Sequence, residues 1–442
     1  MLKSTCHGAT PGRLPTTSAS LAADSFHFFS FPPTSASHAN TFTKDTQLSC
    51  CQIWAVSSAS TVSAPNFPCG RIRCHRARSA CRGGSHAGIP PGALYPVRLG
   101  EVFNDRFQTV AKPGYGSSST IWLMRYLLHH QYVALKIYIH NSTQHRELPF
   151  YEHLDKVLPS RHPGAKNVRK LLASFQVAGP HGKHVALALQ VSQMSIRDMD
   201  TVFMNGRGFN EGFVKGAVKE LLEALDFLHT EAQCVHTDVH PGNLLLGTND
   251  DSVFQKLEEN EFSSPVPRKQ FEDRTIYLSR LMKPKAGPLL LSDFGEARLG
   301  PGPHAGDIMP IMYRAPETLL YVQWGYPVDI WSVGLTAWDL LEGRTLFSAR
   351  KEDGNFSDGA HLAELIAALG PPLQGFSIGI AIERSRNWSE FVPIPKERTL
   401  EAAETKLEDN TKFLQFIRRA LTWDPDSRPT ARELLQDPWL KD

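Results

Sequence analysis

Val235-His236-Thr237-Asp238-Val239-His240-Pro241-Gly242-Asn243 is the stretch on which the reading of this chain turns. It follows a run in which Val214, Ala217, Val218, Leu221, Leu222, Leu225 and Leu228 recur at the spacing of one helix face, and it precedes the apolar triplet Leu244-Leu245-Leu246. A loop between a long helix and a short strand is thereby expected. Within it a carboxylate and a carboxamide stand five residues apart. Asp238 can take a proton from a hydroxyl, and the amide oxygen of Asn243 can ligate a hard cation. Fifty residues beyond Asn243, Leu289-Leu290-Leu291 leads into Ser292-Asp293-Phe294-Gly295, which places a second carboxylate at a strand end. Alone, such an aspartate is an ordinary turn former.

Upstream, Gly114-Tyr115-Gly116-Ser117-Ser118-Ser119-Thr120-Ile121 follows a G-x-G-x-x-G-x-V pattern with Ser in the third glycine position. Two glycines let backbone N–H groups approach phosphate oxygens, although a plain hairpin turn accounts for the same residues. Phe107 to Val110, Thr120 to Leu123 and Val133 to Ile139 read as short strands around it. Lys136 lies twenty residues after Gly116 in Val133-Ala134-Leu135-Lys136. Strand alternation turns Ala134 and Lys136 to one face and Val133, Leu135 and Ile137 to the other.

Strands come first in the body of the chain, and helical faces at 214–228, 330–341 and 413–421 come afterwards. That order predicts an α+β fold rather than a parallel sheet. Thr430 and Glu433 form a capping-box pattern after Arg428-Pro429, with Pro438 closing the helix. No run approaches the ~18 uninterrupted apolar residues of a membrane span. The 442 residues allow two to four domains, or one large two-lobed unit with an appended segment.

The net charge of +2 conceals a split: residues 1–100 carry nine Lys/Arg against Asp24 and Asp45, and the remainder carries 38 bases against 43 acids. Residues 1–90 hold 14 Ser, 9 Thr and no Glu, without a period of 2 or 3.6. Such a stretch buries too little apolar surface to offset its ordering entropy, so residues 1–94 are expected to be a disordered tail, with a targeting peptide as the rival. Six of seven cysteines lie in it, which argues against a disulfide framework and for a reducing, intracellular body. Cys69, Cys74, His75 and Cys81 have zinc-ligand chemistry but lack the C-x2-C knuckle.

Six elements recur in one order, the last two being Ala315-Pro316-Glu317 and Asp329-Ile330-Trp331-Ser332-Val333-Gly334. In this the chain from about residue 95 to 442 resembles a eukaryotic protein kinase catalytic domain. The opening Tyr95-Pro96-Val97-Arg98-Leu99-Gly100, the loop end Ser119-Thr120-Ile121-Trp122 and Thr237 in place of the usual Arg are similar to the SR-protein kinases, notably the short fungal-type members.

The resemblance implies a small antiparallel lobe with one helix, αC, at about 95–190, and a larger, mainly helical lobe at about 191–442. ATP and Mg²⁺ are the implied cofactors. Nucleotide binding would fall to Gly114, Tyr115, Gly116, Ser117, Ser119 and Ile121, to Ala134 and Lys136, to Glu147 as the αC partner of Lys136, to Asp293, and to a hinge at Gln190 to Ser192. Asp238 would be the catalytic base, and Asn243 and Asp293 the metal ligands. Glu152 is the alternative to Glu147, because Pro149 disturbs a helix unless it lies in the first turn. Glu317 and Arg428 would form an ion pair bracing the large lobe.

Beside Pro149, two further positions depart from the pattern. His240 stands where most Ser/Thr kinases place a lysine that steadies the γ-phosphate, and Pro310 stands where a hydroxyl residue links the base to that lysine. The retained Lys136, Asp238, Asn243 and Asp293 speak for an altered network in a working site, with a pseudokinase that binds nucleotide or Arg/Ser segments as the alternative.

The stretch between Asn243 and Asp293 is longer than a kinase hairpin needs. Its insert, about 248–286, carries Asp250, Asp251, Glu258, Glu259 and Glu261 close together. It reads either as a solvated excursion or as an acidic flank that attracts arginine-rich substrate. The resemblance implies a monomer acting on Arg/Ser-rich proteins, without direct nucleic-acid or membrane contact. Cytoplasm and nucleus are the expected compartments, with mitochondrial targeting as the alternative.

Overall fold

The computed structural model describes residues 92–441 apart from 117, 141–145, 159, 373–392 and 396. The expectations for the tail, for the Cys69, Cys74, His75 and Cys81 set and for Ser117 therefore lie outside the described residues. Every described residue belongs to one contact unit of the chain.

Six antiparallel strands form the first layer: β1 (Val102–Phe103), β2 (Phe107–Tyr115), β3 (Ser119–Tyr126), β4 (Gln131–Tyr138), β5 (Leu171–Gly179) and β6 (Gly182–Gln190), in spatial order β1-β2-β3-β4-β6-β5. The pleat does the sorting that alternation predicts. Val133, Leu135 and Ile137 enter an apolar cluster with Phe107, Trp122, Met124, Ala186 and Ala188, and Lys136 turns to the opposite face. Register sets Lys136 across from Ile121 on one side and Leu187 on the other. A one-residue slip would exchange these faces, so the buried cluster fixes where the lysine points.

Helix α1 (Glu147–Val157) packs Phe150, Tyr151 and Leu154 inward. Pro149 falls in its first turn, where a missing N–H costs nothing because that donor has no intrahelical partner. The helix is therefore intact.

The second layer is built on α2 (Glu211–Thr230), capped by Asn210, whose side chain accepts from Phe213 N–H. Its face from Val214 to Leu228 is buried as the periodicity predicts. Helix α3 (Ser252–Ser263) lies in the insert, followed by α4 (Pro327–Glu342), α5 (Asp358–Leu369) and α6 (Thr411–Ala420). Thr430 and Glu433 make the capping box. Pro438 does more than close that helix, because it opens a further turn, Pro438–Lys441. Among the described residues no helix is long and apolar enough to cross a membrane.

The insert is not a solvated excursion, and two of its five acids, Glu258 and Glu261, are not free. Phe254, Val253 and Leu257 of α3 are buried against Val110, Ala111, Leu123 and Tyr132 of the sheet. Glu258 accepts from Arg125 at 2.5 Å and from the Tyr132 hydroxyl. Glu261 accepts from Arg280 at 2.6 Å and Arg268 at 3.4 Å. Further along, Tyr277 sets its ring edge-on to Trp122, and Arg280 N–H donates to Lys112 O at 2.9 Å. The apolar spacing of Val253, Phe254 and Leu257 signalled this docked face; of the five acids, Glu258 and Glu261 are spent on arginines, while Asp250 and Glu259 stay exposed. The insert leaves and re-enters the large lobe at the paired strands Leu244–Leu246 and Leu289–Leu291, so it straps one lobe to the other.

Candidate active site

The cleft between the lobes collects side chains from four elements. Lys136, from β4, donates to Glu147 of α1 at 2.7 Å and to Asp293 at 3.1 Å. The lysine and glutamate are buried, while the Asp293 side chain is about half exposed. Burial opposes the ammonium, but Glu147 and then Asp293 outweigh it and hold Lys136 well above its ordinary pKa. Conversely Lys136 holds the Asp293 carboxyl below the usual range. Tyr138 joins the group by donating its hydroxyl to Glu147, a partner that no sequence pattern signalled. Glu147, and not Glu152, is thus the residue that meets Lys136.

Asp293 is presented by backbone geometry. Its φ of 64° turns the chain sharply after strand Leu289–Leu291. The next residue, Phe294, is fully buried, stacked on Phe150 at 4.4 Å and edge-on to Tyr151 and His236. Packing of that ring under α1 sends the carboxylate the other way, toward Lys136.

The loop after α2 hangs from one buried acid. Asp329, at the start of α4, accepts from His236 N–H and Thr237 N–H at 2.8 Å each and bonds His229 Nε2 at 2.9 Å. Thr237 itself donates its hydroxyl to Glu296 O at 2.8 Å, which links this loop to the segment after Asp293. Asn243 donates Nδ2 to Asp238 O at 2.8 Å and to Asp238 Oδ2 at 2.9 Å. Both donors of the amide face Asp238, so its oxygen is left for another partner. Burial works against ionisation of Asp238, but His240, with Nε2 3.5 Å from Oδ1, outweighs it and keeps the carboxyl below its ordinary value.

The glycine loop is at once a tight hairpin, Gly116 N–H donating to Ser119 O at 2.9 Å, and an open surface. A Cβ added at Gly114 would meet nothing within 4 Å, so the bare backbone there leaves room for a large anion. Tyr115, Ser119, Ile121 and Ala134 lie on the same hairpin and the strand beside it. At the hinge, Gln190 already donates its N–H to Lys170 O at 2.8 Å and accepts from Arg169 Nε at 2.9 Å. An adenine reaching Gln190 would thus find only the second lone pair of its carbonyl. Ser192 follows, half-buried, and Gln193 ties the insert ends to the hinge through Gly247 O and Lys285 O at 2.5 and 2.9 Å.

These residues suit a triphosphate and a hard divalent cation by their chemistry. The Asp293 carboxylate and the Asn243 amide oxygen are hard oxygen donors, and among the described residues no group of three or more His, Cys, Asp or Glu is placed to hold a metal ion by itself. Arg197, which contacts His240, had no signal in the sequence, since it follows an unremarkable helix cap at Ser195.

Comparison with known proteins bears on the same span. A family model described as "Protein kinase domain" matches residues 107–440. A serine/threonine protein kinase of Aspergillus fumigatus is 41% identical over 361 residues, covering 79% of this chain and 88% of that protein. The serine/threonine-protein kinase SRPK of Physarum polycephalum is 28% identical over 383 residues, covering 79% and 89%. A crystal structure of a kinase domain superposes with a TM-score of 0.59 at 22% identity, over 79% of this chain and 99% of that one.

Proposed function

Because the chain belongs to the protein kinase family and is a serine/threonine kinase, a member of a family that uses ATP and a divalent metal, we propose that it phosphorylates Arg/Ser-rich proteins with Mg²⁺ at Asp293 and Asn243. The observation that carries the site assignment is the linked set Glu147–Lys136–Asp293, with Asp238 held beside Asn243.

In this reading Lys136 orients the nucleotide phosphates, and its two carboxylate partners keep it charged throughout the working pH range. Asp238 accepts the proton of the substrate hydroxyl as that oxygen attacks the γ-phosphorus and the bond to the leaving ADP oxygen breaks. Asn243 fixes the carboxylate in place by donating to it. A cation held by Asp293 and Asn243 would neutralise phosphate charge. Nothing more covalent is asked of the protein, since phosphoryl transfer depends mainly on position and charge.

The substrate class is supported by the likeness to SRPK proteins and by the excess of acids over bases after residue 100. It does not draw on Glu258 and Glu261, whose charges are internally paired. The test is label transfer from ATP to an Arg-Ser repeat peptide and to a Ser peptide with acidic flanks. The repeat peptide should be preferred at low salt, with the preference falling as salt rises. Equal kcat/KM for the two would remove the substrate assignment and leave the kinase untouched. Absence of transfer to any protein substrate, with ATP bound, would return the pseudokinase reading.

A further inference from the structure

His240 raises the question of where the positive charge usual at its position has gone. The imidazole is held in one orientation. Its Nδ1 accepts from Gly242 N–H at 3.0 Å and stands 3.2 Å from Nη2 of Arg197. Two donors on one ring nitrogen assign the proton to the other, so Nε2–H is the donor, and it faces Asp238 Oδ1 at 3.5 Å. Gly242 is the residue that permits this, because a Cβ there would lie 2.8 Å from His240 Cε1 and 3.1 Å from Nη1 of Arg197.

Arg197 comes from a separate element, the helical turn Ile196–Met199 below the hinge. Ser195 and Asp198 close that turn with bonds of 2.8 and 3.0 Å. The N–H of Arg197 donates to Pro241 O at 3.1 Å, so backbone and side chain both grip the loop that carries Asp238. The Tyr313 ring lies 5.7 Å from His240 on the remaining side.

We propose that Arg197 is a positioning residue for phosphoryl transfer: its guanidinium carries the positive charge that position 240 lacks and, through Nδ1, aims the Nε2–H of His240 at the transferring phosphoryl group. A lysine ammonium offers a donor and a charge in one group. Here the donor is the Nε2–H of the ring, and the charge belongs to a guanidinium one ring-width away. The inference rests on Asp238 being the base, since only then does Nε2 face the reacting phosphate.

The experiment uses the full chain, with Arg197→Met, Arg197→Lys, His240→Lys and the Arg197→Met/His240→Lys double variant, in peptide phosphorylation at saturating ATP. R197M should lower kcat on the order of 10–100-fold with KM for ATP within about twofold, and R197K should retain more. In the H240K background the same R197M change should cost less than about threefold, because the loop then carries its own ammonium. Calorimetry gives a readout free of turnover: ADP alone should bind R197M and wild type alike, while ADP with aluminium fluoride, a mimic of the transferring group, should bind R197M several-fold more weakly. Wild-type kcat in R197M, an equal loss in both backgrounds, or unchanged binding of the fluoride mimic would overturn the proposal. A wild-type chain that transfers nothing counts against the Asp238 reading instead, and the fluoride comparison still decides the role of Arg197.

Discussion

Arg428 and Glu317, 111 residues apart in sequence, meet through two hydrogen bonds of 2.8 and 3.1 Å with neither side chain exposed. Arg428 also donates to Pro327 O and Thr422 O and lies over the Trp331 ring. The end of the segment after Asp293 is thereby pinned to the C-terminal helices. Removing one partner strands a buried charge, so Arg428→Ala or Glu317→Ala should lower stability by about 3–5 kcal/mol, read as a shift in urea midpoint. The double change Arg428→Met/Glu317→Leu should cost less than either single change. Additive costs would mean that the two side chains act independently.

Asp238→Asn should reduce turnover about 10²–10⁴-fold with nearly unchanged ATP affinity, because in the proposed mechanism the carboxylate acts on the hydroxyl proton and not on the nucleotide. Its contact with Asn243 Nδ2 can survive through the remaining oxygen, so the loop should keep its shape. Near-normal turnover in steady-state kinetics would take Asp238 out of the base role.

Lys136, Asp238, Asn243 and Asp293 were legible in the sequence because each sits at a fixed offset from a short strand or loop, and local geometry aims it. Glu147 was legible for the same reason once Pro149 was placed in a first turn. What could not be read was any contact made across the fold by residues with no local signature. Arg197 reaches His240 from 43 residues away, and Tyr138 completes the Glu147 pair from the sheet. The insert shows the opposite error. Its acids drew attention as charge, while the positions that decide its fate, Val253, Phe254 and Leu257, are apolar and docked.

That docking carries its own prediction. Phe254 is fully buried against the sheet, so Phe254→Ala should cost about 3–5 kcal/mol. Glu258→Gln with Glu261→Gln should likewise weaken the fold by leaving Arg125 and Arg280 without their acids. The preference for an Arg-Ser peptide over an acidic one should nevertheless stay within about twofold of wild type, since those charges face arginines of the chain itself. A preference that collapses in the double glutamine variant would restore the insert as a substrate-attracting flank.

The segment Asp293 to Glu317 contains no Ser or Thr, and Tyr313 is buried. Thr237 occupies the place of an arginine that could pair with a phosphate, and it spends its hydroxyl on Glu296 O. The segment is thus tied to the Asp238 loop without modification. Protein made in bacteria and treated with phosphatase should match untreated protein in kcat. A several-fold loss, with phosphate mapped to residues 293–317, would contradict this.

Tyr313 donates its hydroxyl to Asp339, whose carboxyl burial pushes up to about 7, against the opposing bond from Tyr313 and the charge of Arg197. The folded chain therefore holds a proton here that the unfolded chain releases near the ordinary carboxylate value. Where the native state binds the extra proton, stability falls as pH rises, so this group should cost stability progressively between about pH 4 and 7 and no further above that. Groups of the other sign act in the same experiment: Asp238 and Asp293 lose their contribution as pH falls through the carboxylate range, and burial draws His361 down to about 4, so it resists protonation. The difference between wild type and Asp339→Asn isolates the one carboxyl. Wild type should lose about 2–4 kcal/mol more than Asp339→Asn between pH 4.5 and 8, read from urea midpoints at the two pH values. Parallel losses in the two proteins would mean that Asp339 is already ionised in the folded state at the lower pH, and that the Tyr313 hydroxyl is bonded to a carboxylate throughout.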